Sequence, residues 1–404
     1  MHQSGGEKET VHGFSVPFRF PVLFTRHLWD PANPVLNDVF TRLEPARRHR
    51  VLVVVDDRVA AANPWMLGEI GRYFSAFGNT LDLVSDPVVV GGGEACKNDL
   101  TAPLAILQKI NDVGLDRQSF VAVVGGGAVL DMASFAAALA HRGIRVVRIP
   151  TTVLSQADSA VGVKNGINLF GKKNFIGTFV PPFAVINDPE FFTSLEPRDR
   201  TSGVVEAIKV ALLKDPAFYQ YLEANADRIA DGDVDVLAVL TRRSAELHLA
   251  HICGNGDPFE LGSARPLDFG HWAAHKLESM TNHRLRHGEA VAIGIALDLS
   301  YSVRMGYLDR PCATRIMDLL EAVGFNLWDE ALLERDAAGQ LMVVRGLQEF
   351  REHLGGELTV TLLRGIGRSF EVTEMDDAAV AESVELLMPA TEPMAVRGRS
   401  VAAG

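Results

Sequence analysis

Short β-branched runs separated by helical patterns constrain this chain more than any other feature. RVLVVVDD (50–57), TLDLVSDPVVV (80–90), FVAVVGGG (120–127), IRVVRIPTT (144–152) and FAVINDP (183–189) recur through the first half, with helical stretches such as NPWMLGEIGRYFSAFG (63–78) between them. A strand that is apolar at nearly every position is covered on both faces, and strands of that kind alternating with helices form a parallel sheet. The first half is therefore expected to be α/β. From about residue 198 the texture changes to long amphipathic segments, among them TSGVVEAIKVALLKD, VDVLAVLTRRSAELHLAHI and GEAVAIGIALDLSYSVRMG, with apolar residues at helical spacing. The expected organisation is an α/β domain over 14–197 and a helical domain over 198–390 with one late strand at LTVTLLRGIG (358–367), flanked by flexible tails at 1–13 and 391–404.

A length of 404 residues suits two domains. The net charge of −12 argues against nucleic acid or an anionic membrane surface as a partner, since both need a basic face. A small anionic substrate is compatible with an acidic whole that holds a local basic pocket. Cys96, Cys253 and Cys312 are scattered without CxxC spacing, so neither a disulfide framework nor a thiolate metal site is indicated, and a reducing cytoplasm fits. MHQSGGEKETVHG carries no basic stretch followed by an apolar one, so no signal peptide is expected. The most apolar window, FVAVVGGGAVLDMASFAAALA (120–140), has three glycines and Asp131 in its middle, which favours a buried strand, turn and helix over a membrane span.

Two strand ends carry nucleotide signals. VLVVV ends in Asp56 and Asp57, and FVAVV ends in Gly125-Gly126-Gly127 ahead of a helical run. Glycines there let backbone N–H groups and a helix N-terminus approach a diphosphate, while an acid at a strand end accepts from a ribose hydroxyl and repels a 2′-phosphate, favouring NAD over NADP. The triplet departs from GxGxxG, and a plain turn accounts for it as well. Gly91-Gly92-Gly93-Glu94, with Lys97 three residues on, is a second glycine-rich turn that reads equally as a loop opening a surface helix.

Residues 150–179, PTTVLSQADSAVGVKNGINLFGKKNFIGTF, have no usable hydrophobic period and read as a functional loop. Lys164, Lys172, Lys173 and Asn174 are close enough in sequence to converge on a phosphate, or to be solvated separately. In SGVVEAIKVALL the pair Glu206 and Lys209 shares one helix face; a structural ion pair and a metal ligand beside a substrate-binding lysine both account for it. His271 and His275 stand at i and i+4, and a lone HxxxH is usually no metal site. Adding His287 and a glutamate such as Glu206 makes a mixed site for Zn²⁺ or a similar ion, with one histidine left over for proton transfer.

Taken together, GGGAVLD, RG-x₄-RIPTT, DSAVGVKNGIN, GKKNFIG, SGVVEAIKVALL, DFGHWAAH and HGEAVAIG, in that order from about residue 50 to 305 with weaker similarity to about 385, closely resemble the 3-dehydroquinate synthase-like family of sugar phosphate cyclases. The resemblance implies a Rossmann-like, NAD-binding α/β domain followed by an all-α metal-binding domain, with the active site in the cleft. It places the metal, Zn²⁺ or Co²⁺, on Glu206, His271 and His287 and moves His275 to the substrate side as a proton relay. Lys164, Asn174 and Lys209 match substrate-binding positions, with Lys173 beside them. Asp158 matches the polar residue before GVK, and Arg142 matches a phosphate-contacting arginine supplied across a homodimer interface. Asp56, Glu94, Lys97, Gly126, Gly127, Asp131, Thr151 and Thr152 match NAD contacts. The implied reaction oxidises a secondary alcohol transiently, eliminates phosphate, returns the hydride and closes a carbocycle by an aldol step.

The chain departs from a dehydroquinate synthase where that enzyme holds a substrate carboxylate. His248 stands at the lysine position, and Ala264 and Asp268 replace the arginine and asparagine ahead of DFGH, although Arg265 is adjacent. An aspartate repels a carboxylate but accepts from a hydroxymethyl group. Such changes resemble cyclases that use sedoheptulose 7-phosphate, and DPFELGSARPLDFGHWAAHKLE is most similar to the branch encoded in ebo gene clusters. GLQEFREHLGG replaces the lysine-rich C-terminal motif, with Arg351 as a substitute. The competing expectations are a dehydroquinate synthase rescued by Arg265, a metal-dependent polyol dehydrogenase, which would lack the GVK…KN and E-x-x-K lysines, and a non-catalytic scaffold, which would have lost its metal ligands first.

Overall fold

The N-terminal half is built on a strand that is buried on both faces. In β2 (His49–Asp56), Val51, Val53 and Val55 point to a cluster with Phe40, Ile70 and Tyr73, whereas Leu52 and Val54 point to another with Ile106, Met132 and Phe135. The chain is described here from a computed structural model, covering residues 11–170, 172–254, 258–259, 267–353 and 356–389. In chain order the other strands of this half are β1 (Val22–Phe24), β3 (Leu81–Leu83), β4 (Val88–Val90), β5 (Phe120–Gly125), β6 (Arg145–Pro150), β7 (Lys164–Leu169), β8 (Lys172–Phe179) and β9 (Ala184–Asn187). Together with β2, six of them form one sheet in the order β1-β9-β6-β5-β2-β3, with β4 also on β2, and every pairing is parallel. The run 80–90 is thus two short strands interrupted at Val84–Pro87. The connections reverse direction between β2 and β5, the point at which open α/β sheets bind ligands at the carboxyl ends of their strands.

Residues 150–179 differ from the expected loop. They hold a short helix, Val153–Ala157, and an antiparallel hairpin of β7 and β8 that stands off the main sheet, Lys164 facing Phe179 and Leu169 facing Lys172. Lysines, asparagines and glycines along a two-stranded ribbon mask the apolar alternation that would have marked it.

The second half packs its own apolar cluster around the helices Pro197–Lys214, Val234–Gly254, His271–Met280 and His287–Arg304, the last buried on nearly every face. The late strand is present as β10 (Val360–Leu363), which pairs antiparallel with β11 (Ser369–Val372), so among the described residues this half is helical with one hairpin. Among the described residues no helix is long and apolar enough to cross a membrane.

Candidate active site

Three helices bring Glu206, His271 and His287 together, with one ligand-type atom of each within 4.8 Å of the others. Glu206 Oε1 lies 3.9 Å from His271 Nε2 and 3.6 Å from His287 Nε2, too long for hydrogen bonds and suited to donors that share one ion. Neither Glu206 oxygen makes a hydrogen bond of acceptable geometry, although Lys209 Nζ stands 2.5 Å from Oε2 as an ion pair. The ammonium answers Oε2, whereas Oε1 is buried without a hydrogen bond and calls for a cation between it and the two imidazoles, so these residues fit a divalent metal.

The two imidazoles are oriented from behind. His271 Nδ1 donates to Phe269 O at 3.1 Å, which leaves Nε2 as the lone-pair nitrogen. His287 Nδ1 is 3.4 Å from Glu278 Oε2, and Glu278 Oε1 accepts from Lys173 Nζ at 2.9 Å. His275 packs against both rings, with centroids 5.5 and 6.3 Å away, but it does not face Glu206 as they do. Burial, aided by Lys209, pushes His271 down to about 3, and burial, aided by His271, does the same to His275. Burial also opposes the His287 cation, but Glu278 and Glu206 outweigh it and raise that group to about 9. Glu206 is held ionised well below the usual carboxylate range because Lys209 and the two histidines overcome its burial.

Lys209 is itself buried, and Glu206, Asp158 and Asp268 together keep it charged. Asp158 Oδ1 lies 2.7 Å from His248 Nδ1, and that contact holds the acid ionised against its burial. Asp158, Lys209, His248 and Asp268 therefore lie together beside the metal-type cluster. Lys173 Nζ donates to Glu278 Oε1 at 2.9 Å, so in this structure it is paired with the acid behind His287. Arg265 and Ala264 lie outside the described residues. Arg142 precedes β6, whereas Thr151 and Thr152 follow it, and six residues of strand separate the two ends by on the order of 20 Å. Within this chain Arg142 is thus at the opposite end of the sheet from the threonines, beside Arg42, Arg145 and Phe183.

The nucleotide-type residues gather at the β2/β5 crevice. Asp56 caps the helix that follows it, accepting from Arg58 N at 2.9 Å. Gly126 precedes the helix Gly127–Leu139, whose first N–H groups receive no side-chain cap. A Cβ on Gly127 would sit 2.8 Å from Ser159 Oγ, so the cradle is open only because the residue is glycine. Thr151 Oγ1 and Ser159 Oγ are buried there without a hydrogen-bond partner, and Thr152 caps the helix Val153–Ala157. Lys97 Nζ bridges Asp131 Oδ2 at 2.8 Å and Asn174 Oδ1 at 2.6 Å, joining the crevice to the hairpin.

Sequence reasoning missed four supporting residues. Asn168 donates to Glu94 and Asn98 and accepts from Asn174 N. Arg148 is fully buried and donates to the carbonyls of Ala160, Gly162 and Lys164, which fixes the loop into β7. Glu278 shares a face with His271 and His275 at i+7 and i+3, and Asp298 is the one acid in AVAIGIALDLSYS. An isolated charge in an apolar strand or helix is a readable signal of a buried partner.

Comparison with known proteins supports the same grouping. Residues 87–202 match the 3-dehydroquinate synthase N-terminal family and residues 203–343 the 3-dehydroquinate synthase C-terminal family. A 3-dehydroquinate synthase of Xanthomonas campestris pv. campestris is 36% identical over 313 residues, 74% of this chain and 81% of the relative. A 2-epi-5-epi-valiolone synthase of Streptomyces glaucescens is 33% identical over 290 residues, 71% of each chain. Among solved structures, the 2-epi-5-epi-valiolone synthase ValA of Streptomyces hygroscopicus subsp. jinggangensis 5008, with NAD⁺ and Zn²⁺ bound, superposes with a TM-score of 0.82 at 25% identity, over 94% of this chain and 99% of that one. The ordered motifs, the two-domain architecture and these matches agree: the chain belongs to the 3-dehydroquinate synthase-like family of sugar phosphate cyclases.

Proposed function

We propose that this protein converts sedoheptulose 7-phosphate, a ketoheptose phosphate without a carboxylate, to a carbocyclic ketone of the valiolone type with loss of phosphate. The observation that carries the reading is the 2.7 Å contact between Asp158 and His248. Where a dehydroquinate synthase would offer a lysine to its substrate's carboxylate, this imidazole is committed to a carboxylate of the protein, and Asp268 adds a second acid beside Lys209. A substrate carboxylate would meet like charges here, whereas a hydroxymethyl group donates to either acid.

NAD fits the crevice of Asp56, Gly126, Gly127, Thr151 and Thr152, with Glu94, Lys97 and Asp131 at its edge, and Zn²⁺ or Co²⁺ fits Glu206, His271 and His287. When bound, the nucleotide supplies a transient hydride acceptor and the ion a Lewis acid and template. The remaining work falls to the chain. Lys209 and Lys164 hold the anionic substrate, and Asn174, fixed by Lys97 and Asn168, orients it. His275 enters neutral, so it relays a proton by taking it on one ring nitrogen and releasing it from the other. Arg142 reaches a phosphate only in the site of a second copy, and the reading therefore includes a homodimer.

With NAD⁺ and Zn²⁺ or Co²⁺, phosphate is expected to be released from sedoheptulose 7-phosphate and not from 3-deoxy-arabino-heptulosonate 7-phosphate. Release from the heptulosonate alone would make the protein a dehydroquinate synthase, and NADH accumulating in step with product would make it a dehydrogenase. Glu278→Gln, which loosens His287 from behind, is expected to weaken Co²⁺ binding about 10–100-fold by calorimetry. An unchanged affinity would remove Glu278 from the site.

A further inference from the structure

The helix that begins with His271 is held in place from the neighbouring His287–Arg304 helix. Asp298 is fully buried, and its two oxygens accept from the residues on either side of that histidine: Oδ2 from Gly270 N at 2.9 Å and Oδ1 from Trp272 Nε1 at 2.8 Å. Both bonds favour the carboxylate, while burial works against it and raises the group to about 7. The turn it grips has no slack. Gly270 has φ +78°, and a Cβ there would lie 2.7 Å from Ile295 N; a Cβ on Gly294 would lie 2.1 Å from Gly270 O. Gly294 and Asp298 are four apart on the His287–Arg304 helix and so present one face to the turn.

We infer that Asp298 is a positioning residue for metal binding: by clamping the N–H groups flanking His271, it sets that turn against the His287 helix and aims His271 Nε2 at Glu206 and His287. The inference rests on the metal reading of the preceding section. A carboxylate presents acceptors to both donors, whereas an amide in the same place turns an N–H₂ group toward one of them. Leaving one of two buried donors unpaired rotates or lifts the turn, and through it the imidazole.

The test is titration of the full-length protein with Co²⁺, read as affinity and as the visible d–d absorption envelope, alongside circular dichroism and thermal melting. Asp298→Asn is expected to fold, to bind Co²⁺ about 10–100-fold more weakly and to change the envelope. Leu299→Ala, which removes buried volume from the same helix on a different face from Asp298, is expected to lower the melting temperature while leaving affinity and spectrum alone. The inference is overturned if Asp298→Asn binds with wild-type affinity and spectrum, or if Leu299→Ala loses as much affinity, since general loosening would then explain the effect. If Asp298→Asn does not fold, Trp272→Phe removes one donor and keeps the ring; about a several-fold weaker affinity supports the clamp, and wild-type affinity refutes it. Wild-type protein that gives no Co²⁺ spectrum refutes the metal reading itself, before any variant is compared.

Discussion

Glu206→Ala is expected to abolish divalent-metal binding and phosphate release together, and to destabilise the fold in the absence of metal. The carboxylate faces His271 and His287 through one oxygen and Lys209 through the other, and both members of that ion pair are buried. Loss of a ligand removes the Lewis acid, which contributes several kcal/mol to the transition state, so turnover should fall by about a thousandfold or more. Removing one partner of a buried pair costs about 3–5 kcal/mol because the remaining charge is stranded. Lys209→Met in the same chain should recover much of that stability without recovering activity, which separates the two losses. Calorimetry with Zn²⁺ or Co²⁺, thermal melting and a phosphate-release assay read all three quantities. Affinity within about tenfold of wild type in Glu206→Ala would place the ion elsewhere, since an outer-sphere group alone accounts for a change of that size.

Gly288→Ala is expected to act through packing alone. A Cβ at 288 would lie 1.8 Å from Ser202 O and 2.6 Å from Ser202 C, backbone atoms that move only with their helix. Ser202 is one turn before Glu206, and Gly288 follows His287 directly, so the helices are driven apart at the level of two of the three donors. Overpacking of this kind costs about 1–3 kcal/mol or more, and a displacement near 1 Å at a reacting centre lowers turnover on the order of a hundredfold. Thermal melting and steady-state rates check both. Wild-type turnover in Gly288→Ala would mean that the helices slide without disturbing the donors.

The parallel sheet and the helical second half are legible in the chain because burial on two faces leaves its mark on every residue of a strand such as β2. The β7–β8 hairpin leaves no such mark: most of β8 is exposed, and its pairing is a relation between residues as far apart as Lys164 and Phe179. The histidine cluster is readable from spacing, but the division of labour within it is not. All three rings pack together, and only their partners, Phe269 O for His271, Glu278 for His287 and Glu206 facing both, distinguish them. Asp298 stands out as an acid in apolar surroundings and Glu278 lies at helical spacing from His271 and His275, yet periodicity names no partner across helices. Lys173 illustrates the same limit, since its position in a lysine-rich loop points to phosphate and its actual neighbour is a glutamate 105 residues away.

The sheet order also governs when this protein can come into being. Val22 of β1 pairs with Val185 of β9, so the first strand of this sheet in chain order waits for its last. At about 5–20 residues per second of translation, that wait is on the order of ten seconds or more, during which a short apolar strand has no partner. Native pairing at such separation is slow to close and is reached after the local helices have formed. The nucleotide crevice between β2 and β5 can assemble earlier in translation than the edge of the sheet that completes it, which makes the final docking of β1 and β9 the step most exposed to misassembly.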